Sequence, residues 1–513
     1  MSARSNATIP LRQAHAPLVL ALDFGTSSLR ALVFDARGRF VEGALARRPN
    51  GFRFDAEGAA EADAEALCAK LEACIDAALA KLGARRHDVR AVVACSFVGN
   101  ILGLDVNGRV CTPVLTYADT RAGAEVQALR ARFDEREIWQ RTGCPFHTSY
   151  LPAQLNWVRK RRAAWFKAAR TWVSAGEYFQ RRLFARTWAS PSVASWTGLL
   201  NRRADMWDAA LLKQLGLRAE QFSPLAWRDA QGRLPVLRGL TGRYAQRWSA
   251  LREIPWLPVL ADGAAANLGS GCTDAARVAV TIGTTGAVRV VVPAPVKRVP
   301  RGLWCYRIDE TRELVGGALN EGGNVAEWLR ATLKLPSEAQ LEAYLLRRVP
   351  GSGGLAMLPF FNGERAPGWV SSARGVLSGL NFSQRPEELY ATGLEAVCLR
   401  LAAIAARLEP LLPARAAFVA SGGALLASAG WRRMLVNALG RPLFPLHVSE
   451  ASARGAALQA LCELGVMKSE AHAPLCLGPQ LRANKSAHQA SQTAGRAQEL
   501  LYEKMVAWTG AKR

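Results

Sequence analysis

LVLALDFGTSSLRALVFDARGR, residues 18–39, is the stretch from which the fold can be read. A dense apolar run, Leu18 to Leu22, reaches Asp23 and then a small polar turn, Gly25-Thr26-Ser27-Ser28. A second apolar run follows, Leu29 to Phe34, and then a turn signal, Asp35 to Arg39. This reads as strand, tight turn, strand. The turn has what a phosphate requires: a glycine that admits close backbone approach, consecutive N–H donors, and hydroxyls beside them. Asp23, at the end of a buried strand, is placed to hold a Mg²⁺ through water. The same residues also make an ordinary hairpin with a polar tip, and a lone glycine-rich turn does not choose between the two.

A second copy tips the balance. VAVTIGTTGAVRVVV, residues 278–292, repeats the plan with Gly283-Thr284-Thr285-Gly286 at its turn. Two hydroxyl-rich hairpin turns in one chain predict two related halves, each with a phosphate loop and a nucleotide between them.

The 513 residues are too many for one core, and two domains of about 250 residues are expected. We expect a disordered tail over 1–17, an N-terminal domain over 18–272, a C-terminal domain over 273–466 and a helical tail over 467–513. Half of the residues are hydrophobic, which excludes wholesale disorder. No uninterrupted apolar run reaches the ~18 residues of a membrane span, and the first 16 residues lack the apolar core of a signal peptide. Ten scattered cysteines form no CxxC pair, and six separated histidines show no metal-ligand spacing. That is reduced, cytoplasmic thiol usage. The net charge of +24, from 66 Lys+Arg against 42 Asp+Glu, is spread along the chain, with no basic tail and no nucleic-acid motif. It reads as a basic surface that attracts anions, with no specific nucleic-acid partner.

Along the chain strands alternate with helices. Helical spacing covers Asp63 to Lys81, Leu151 to Arg170, Pro386 to Leu408 and Ala453 to Leu464; strands are expected at Val89 to Phe97, Leu314 to Leu319 and Ala416 to Ala420. The class is α/β. Two further motifs carry chemistry. In LADGAAANLGSG, residues 260–271, Asp262 ends a strand-like run and opens a short helix. It is a helix cap, which needs no further function, or a base aimed at a substrate hydroxyl. A cap-like site would keep its pKa low, which a base in phosphoryl transfer tolerates. The second motif is Ser421-Gly422-Gly423-Ala424 at a strand end, a simple turn or a place where a purine or phosphate approaches backbone.

Together these pieces resemble the FGGY carbohydrate kinase family, over about Leu18 to Leu464. DFGTSSLRALVFD is similar to its first phosphate motif and TIGTTGAVR to its second. SGGALLASAGWRRMLVNALGRPL (421–443) with EASARGAALQA (450–460) is similar to its adenosine motif and C-terminal signature. DGAAANLGSG, LPFFNGERAPGW (358–369) and ASWTGLLN (194–201) look most like the gluconokinases within it. The resemblance implies two ribonuclease H-like domains, of the actin and hexokinase kind, around a central cleft. It implies ATP-dependent phosphorylation of a sugar or sugar-acid hydroxyl, with ATP and Mg²⁺ as cofactors, in a monomer or homodimer that binds neither nucleic acid nor membrane.

By this resemblance Asp262 is the catalytic base and Asp23 serves the metal. Gly25, Thr26, Ser27, Ser28 and Arg30 face the ATP phosphates. Gly283, Thr284 and Thr285 form the second phosphate loop, and Gly317, Gly422 and Gly423 line the nucleotide pocket. Val98, Gly99, Tyr117, His147, Ser149 and Asp262 are the substrate side. The chain departs from the gluconokinase pattern at Val98-Gly99 (a Trp-His pair there), Tyr117 (a tryptophan), Gln154 (a lysine) and Asn437 (an acidic residue). Alternatives are a xylulokinase- or glycerol kinase-type enzyme, an actin- or chaperone-like ATPase, and a regulatory protein that has lost turnover.

Overall fold

Strands β1 (Thr8–Pro10), β2 (Leu18–Phe24), β3 (Ser28–Phe34), β4 (Phe40–Glu42), β5 (Ala46–Pro49), β6 (Val89–Ser96) and β7 (Leu260–Ala261) form one seven-stranded sheet of order β1-β4-β3-β2-β6-β7, with β5 also on β3. The computed structural model describes residues 7–510. β2 is buried at every position, as a central strand with both faces covered must be. It pairs antiparallel with β3, Asp23 opposite Arg30, and parallel with β6.

The second half repeats the design. Strands β8 (Arg277–Ile282), β9 (Gly286–Pro293), β10 (Trp304–Arg307), β11 (Arg312–Ala318), β12 (Ala417–Ser421) and β13 (Leu443–Pro445) lie in the order β10-β11-β9-β8-β12-β13. β8 and β9 are the antiparallel hairpin, and β12 and β13 follow in parallel on the far side of β8. In both halves a hairpin turn and the end of a parallel strand therefore open at the same end of a sheet.

Alternate side chains of the first sheet serve two layers. Leu20 and Leu22 pack with helix α1 (Ala64–Leu82), through Leu67, Leu71 and Ile75. The Asp63 side chain caps α1, accepting from the Ala66 amide at 2.8 Å. Val19, Ala21 and Val93 face the other way, onto Ala453, Ala457 and Leu461. Those residues belong to a late helix, and it reaches back across the molecule. Helix α2 (Asp262–Gly269), helix α3 (Pro386–Leu408), helix α4 (Ala451–Glu463) and helix α5 (Lys485–Gly510) complete the elements that position the cleft. α2 and α4 cross with almost no gap. A Cβ on Gly455 would lie 1.8 Å from the Ala265 carbonyl oxygen, and one on Gly269 would lie 1.9 Å from that of Ala451. Only glycine permits this backbone approach.

One expectation is corrected. The disordered tail over 1–17 is ordered in its described part: Thr8–Pro10 pairs in parallel with β4, and Arg85 donates to the Ala14 carbonyl at 2.9 Å. Residues 1–6 lie outside the described residues. The expected unit 273–466 ends in a helix, α4, that packs on the first sheet, since its alanine-rich face fits that apolar surface. Helix α5, in the expected tail, packs on the second half. In α5, Gln498 donates to the Met357 and Ala396 carbonyls, and Tyr502 donates to Glu364 at 2.7 Å. The segment Pro386–Leu411 is also long and apolar enough to cross a membrane by composition, and 72% of its apolar 18-residue window is buried inside the fold as the core helix of the second half.

Candidate active site

The two hairpin turns, the N-terminus of α2 and the β12–α4 region line a cleft of about 640 Å³. That lies within the roughly 300–1,000 Å³ of a small-ligand site. Of the expected residues, the cleft brings together Asp23, Thr26, Arg30, Thr285, Gly422 and Gly423 at one end. Val98, Gly99, Tyr117, Ser149 and Asp262 also line it.

The first end is organised by charge. Arg30 donates through Nη1 to Asp23 Oδ2 at 3.3 Å and to Glu450 Oε2, and through Nε to Ser28 Oγ at 2.9 Å. Glu450 caps the start of α4 from a left-handed conformation, φ 59°. Burial pushes the Asp23 carboxyl up to about 6, against the lowering pull of Arg30. The second loop is pinned to the helix that follows it: the Gly323 amide donates to the Gly283 carbonyl at 2.7 Å and the Asn324 amide to that of Thr284 at 3.2 Å. Gly422 has φ 99°, and a Cβ there would meet Ile282 O at 2.3 Å; a Cβ on Gly423 would meet nothing within 4 Å. One glycine permits the fold of the turn, and the other leaves a flat face.

Asp262 is the first residue of α2, preceded by Ala261 in the cap position. Its Oδ1 accepts only from the adjacent Gly263 amide, at 2.7 Å. It is therefore not the helix cap that its position in the sequence suggests. Nor is its pKa low: burial raises it to about 6, with the Arg289 and Arg365 cations and the Gly263 amide pulling the other way. Desolvation outweighs the helix terminus because the carboxyl sits at the floor of the cleft rather than in water.

On the substrate side Gly99 has φ 65°, and a Cβ would lie 2.7 Å from Ser149 O and 2.9 Å from Tyr117 Cβ. The turn thus brings three substrate-side segments into contact. Gln154 ties two of them, donating to the Thr116 and Thr148 carbonyls at 2.9 and 3.0 Å. Asn437 plays no part here. Its Oδ1 accepts from the Asn484 amide at the start of α5.

Seven expected residues do not line the cleft: Gly25, Ser27, Ser28, Gly283, Thr284, Gly317 and His147. The first five shape the two turns. Gly317 is buried in β11, where a Cβ would strike Ala366 at 2.6 Å and Ile404 at 3.1 Å. Its small size serves packing of α3 on the sheet. His147 is buried against Trp369, and its Nδ1 accepts from the Ser149 amide at 3.1 Å. Burial and the Arg365 charge depress its pKa to about 3, so it is a neutral ring that orders the Ser149 loop.

The sequence reading missed Arg289, Arg365, Trp196, Trp304, Tyr150 and Glu450, all on the cleft wall. One signal was available: Arg289 is the lone cation in the apolar strand VRVVV.

With this geometry in place, comparison with known proteins is direct. Residues 18–269 match the N-terminal domain of the FGGY family of carbohydrate kinases, and residues 278–464 match its C-terminal domain. This chain belongs to the FGGY family of carbohydrate kinases. It is a sugar kinase, a phosphotransferase of the ATP-using kind. It is 25% identical over 465 residues to the gluconokinase of Bacillus subtilis (strain 168), covering 88% of each chain. It is 29% identical over 474 residues to the glycerol kinase of Polaromonas naphthalenivorans (strain CJ2), covering 88% of this chain and 91% of that one. Two solved Lactobacillus acidophilus structures share the fold at 24% identity: a ligand-bound xylulose kinase (TM-score 0.88, 97% of this chain and 100% of that one) and a gluconate kinase (TM-score 0.88, 97% and 99%).

Proposed function

We propose that this kinase transfers the γ-phosphoryl group of ATP to a hydroxyl of a gluconate-like sugar acid, with Asp262 as the base, in the cytoplasm. The observation that carries the role of Asp262 is its position: a carboxyl on the cleft wall, raised to about 6, with no partner beyond one backbone amide. At neutral pH it is mostly ionised and free to accept a proton. The acceptor hydroxyl loses its proton to Asp262 Oδ, its oxygen bonds to the γ-phosphorus, and the bond from that phosphorus to the β-bridging oxygen breaks to release ADP. In a loose transition state the base orients the hydroxyl and takes the proton late. Closure of the halves around the cleft would keep water from competing as acceptor.

ATP would lie with its phosphates at the end built from Thr26 and Thr285 and its base against the flat face at Gly423. Mg²⁺ fits the Asp23 end. Magnesium is commonly held by one or two carboxylates, substrate phosphates and several waters, and the described residues hold no cluster of three or more acidic, histidine or cysteine ligands. Asp23, on the cleft wall beside Thr26, would hold it, and the ion would supply charge neutralisation on the β- and γ-phosphates.

The test is ADP release by purified full-length protein with a panel of sugar acids, pentuloses, polyols and aldoses. Strong turnover of D-gluconate or a close sugar acid supports the reading. Turnover of a pentulose or polyol with gluconate inert replaces it with the xylulokinase- or glycerol kinase-type reading, which the similarity of fold and sequence to those enzymes favours.

A further inference from the structure

Among the described residues, fully buried arginines have their charge answered within the fold. Arg202 meets Glu313 at 3.0 Å, and Arg400 meets Glu364 at 2.6 Å. Arg454 donates to three backbone carbonyls, those of Gly38, Gly269 and Pro474. Arg289 and Arg365, both half-buried on the cleft wall, form no ion pair among the described residues; an unpartnered Nε does not set them apart, since Arg202 and Arg400 have one too. Arg289 makes only long contacts, 3.5 Å to Gly263 O and 3.4 Å to Thr281 Oγ1. Both line the cleft beside Asp262. The Asp262 carboxylate acts on both from beyond ion-pair distance, so two cations share one anion and a second anion arriving from outside would balance them.

Both cations are held in place. Arg289 extends from β9, where it lies opposite Ala279. Arg365 sits between two anchored residues: Glu364 is gripped by Arg400 and by Tyr502, and the Ala366 amide donates to Ala318 O at 3.1 Å. The wall around them adds donors. The indole N–H groups of Trp196 and Trp304 are buried and without partners, in rings that stack on Tyr306 at 4.0 and 4.5 Å.

This group adjoins the nucleotide end, since Thr281, which Arg289 touches, also bonds Ser421 beside Gly422. The Arg365 charge acts on Asp262, Tyr117, His147 and Tyr150, while Asp23 feels chiefly Arg30 and Glu450, with Asp262 a smaller influence. We infer that Arg289 and Arg365, backed by the two indoles, read a carboxylate on the acceptor and so select sugar acids over neutral sugars and polyols. Arginine suits this, since its planar fork matches the two oxygens of a carboxylate. The inference rests on the sugar-kinase reading for the identity of the acceptor site.

The experiment compares D-gluconate with D-glucitol, the same six-carbon chain with a neutral alcohol in place of the carboxylate. Wild type, Arg365→Gln, Arg365→Lys and Arg289→Gln are assayed with Mg²⁺ and ATP, and D-gluconate binding to the ATP-free proteins is measured by calorimetry. We expect wild type to favour gluconate by at least about 100-fold in kcat/KM, and each Gln variant to lose about 10- to 100-fold on gluconate, mainly through KM. The KM for ATP should move less than about threefold, and Arg365→Lys should recover part of the loss. Equal use of gluconate and glucitol by wild type overturns the inference and leaves the kinase reading standing. So does a variant whose defect lies in the KM for ATP, which assigns the arginines to phosphate. If no acceptor is phosphorylated but gluconate binds wild type and not Arg365→Gln, the kinase reading falls and the carboxylate reading stands. Absence of gluconate binding together with absence of turnover overturns both.

Discussion

The two ends of the cleft treat charge in opposite ways. At the phosphate end Arg30 is already clasped by Asp23 and Glu450, one carboxylate from each half of the chain. At the acceptor end Arg289 and Arg365 face the cleft with no carboxylate at ion-pair distance, and the Asp262 charge reaches both from further off. The phosphate end needs to be neutral before a highly charged nucleotide and a cation arrive together. The acceptor end carries two arginines outside ion pairs, which suits the proposed acceptor with its own negative charge. The same fold thus prepares one site by cancelling charge and the other by withholding a partner.

The comparison can be broken most severely at its shared residue. Asp262→Asn keeps the shape and removes the proton acceptor, so kcat should fall by about 10²- to 10⁴-fold. Substrate binding measured by calorimetry should persist, and ordinary turnover by this variant would sink the assignment. Next in size is the crossing that carries Asp262. Gly455→Val drives a side chain into the Ala265 carbonyl, and should cost about 3 kcal/mol of stability or more, read as a lowered urea midpoint. An unchanged midpoint would mean that α2 and α4 are not locked together.

At the phosphate end, Arg30→Gln should raise the KM for ATP about 10-fold, the loss of one charge-assisted contact, with a far smaller effect on the acceptor KM. A change confined to the acceptor would erase the distinction between the ends. The smallest effect is on pH. Asp262 and Asp23 both stand near 6 through burial, and both must be ionised to serve. In the free enzyme kcat/KM should therefore decline as pH falls through about 6. Arg289 lowers the Asp262 pKa, so Arg289→Leu should move that limb to higher pH. A limb that stayed in place would show that Arg289 does not act on Asp262.

Much of this was readable beforehand. The two hairpins, the α/β class and the placement of Asp23 and Asp262 follow from local apolar runs and turn residues, which act over a few positions. Position along the chain misled where neighbours in space decide. Gly317 looked like a pocket glycine and is a packing glycine, because Ala366 and Ile404 fill the space above it. His147 looked like a substrate ligand and braces the Ser149 loop instead. The glycines of the C-terminal signature read as a nucleotide motif, and Gly455 proves to lock α4 against the helix that begins at Asp262.

By itself the sequence determined that there are two halves with one plan, that each presents a polar turn, and that an aspartate opens the helix between them. Strand alternation, turn chemistry and helix spacing are local properties, and they survive without knowledge of the partners. Only the tertiary structure decided which charges are cancelled. Arg30 finds Glu450 across 420 positions, while Arg289 and Arg365, 76 positions apart in sequence, line the same wall without an ion pair of their own. Pairing energy depends on distance and burial in space, and neither is written in the order of the residues.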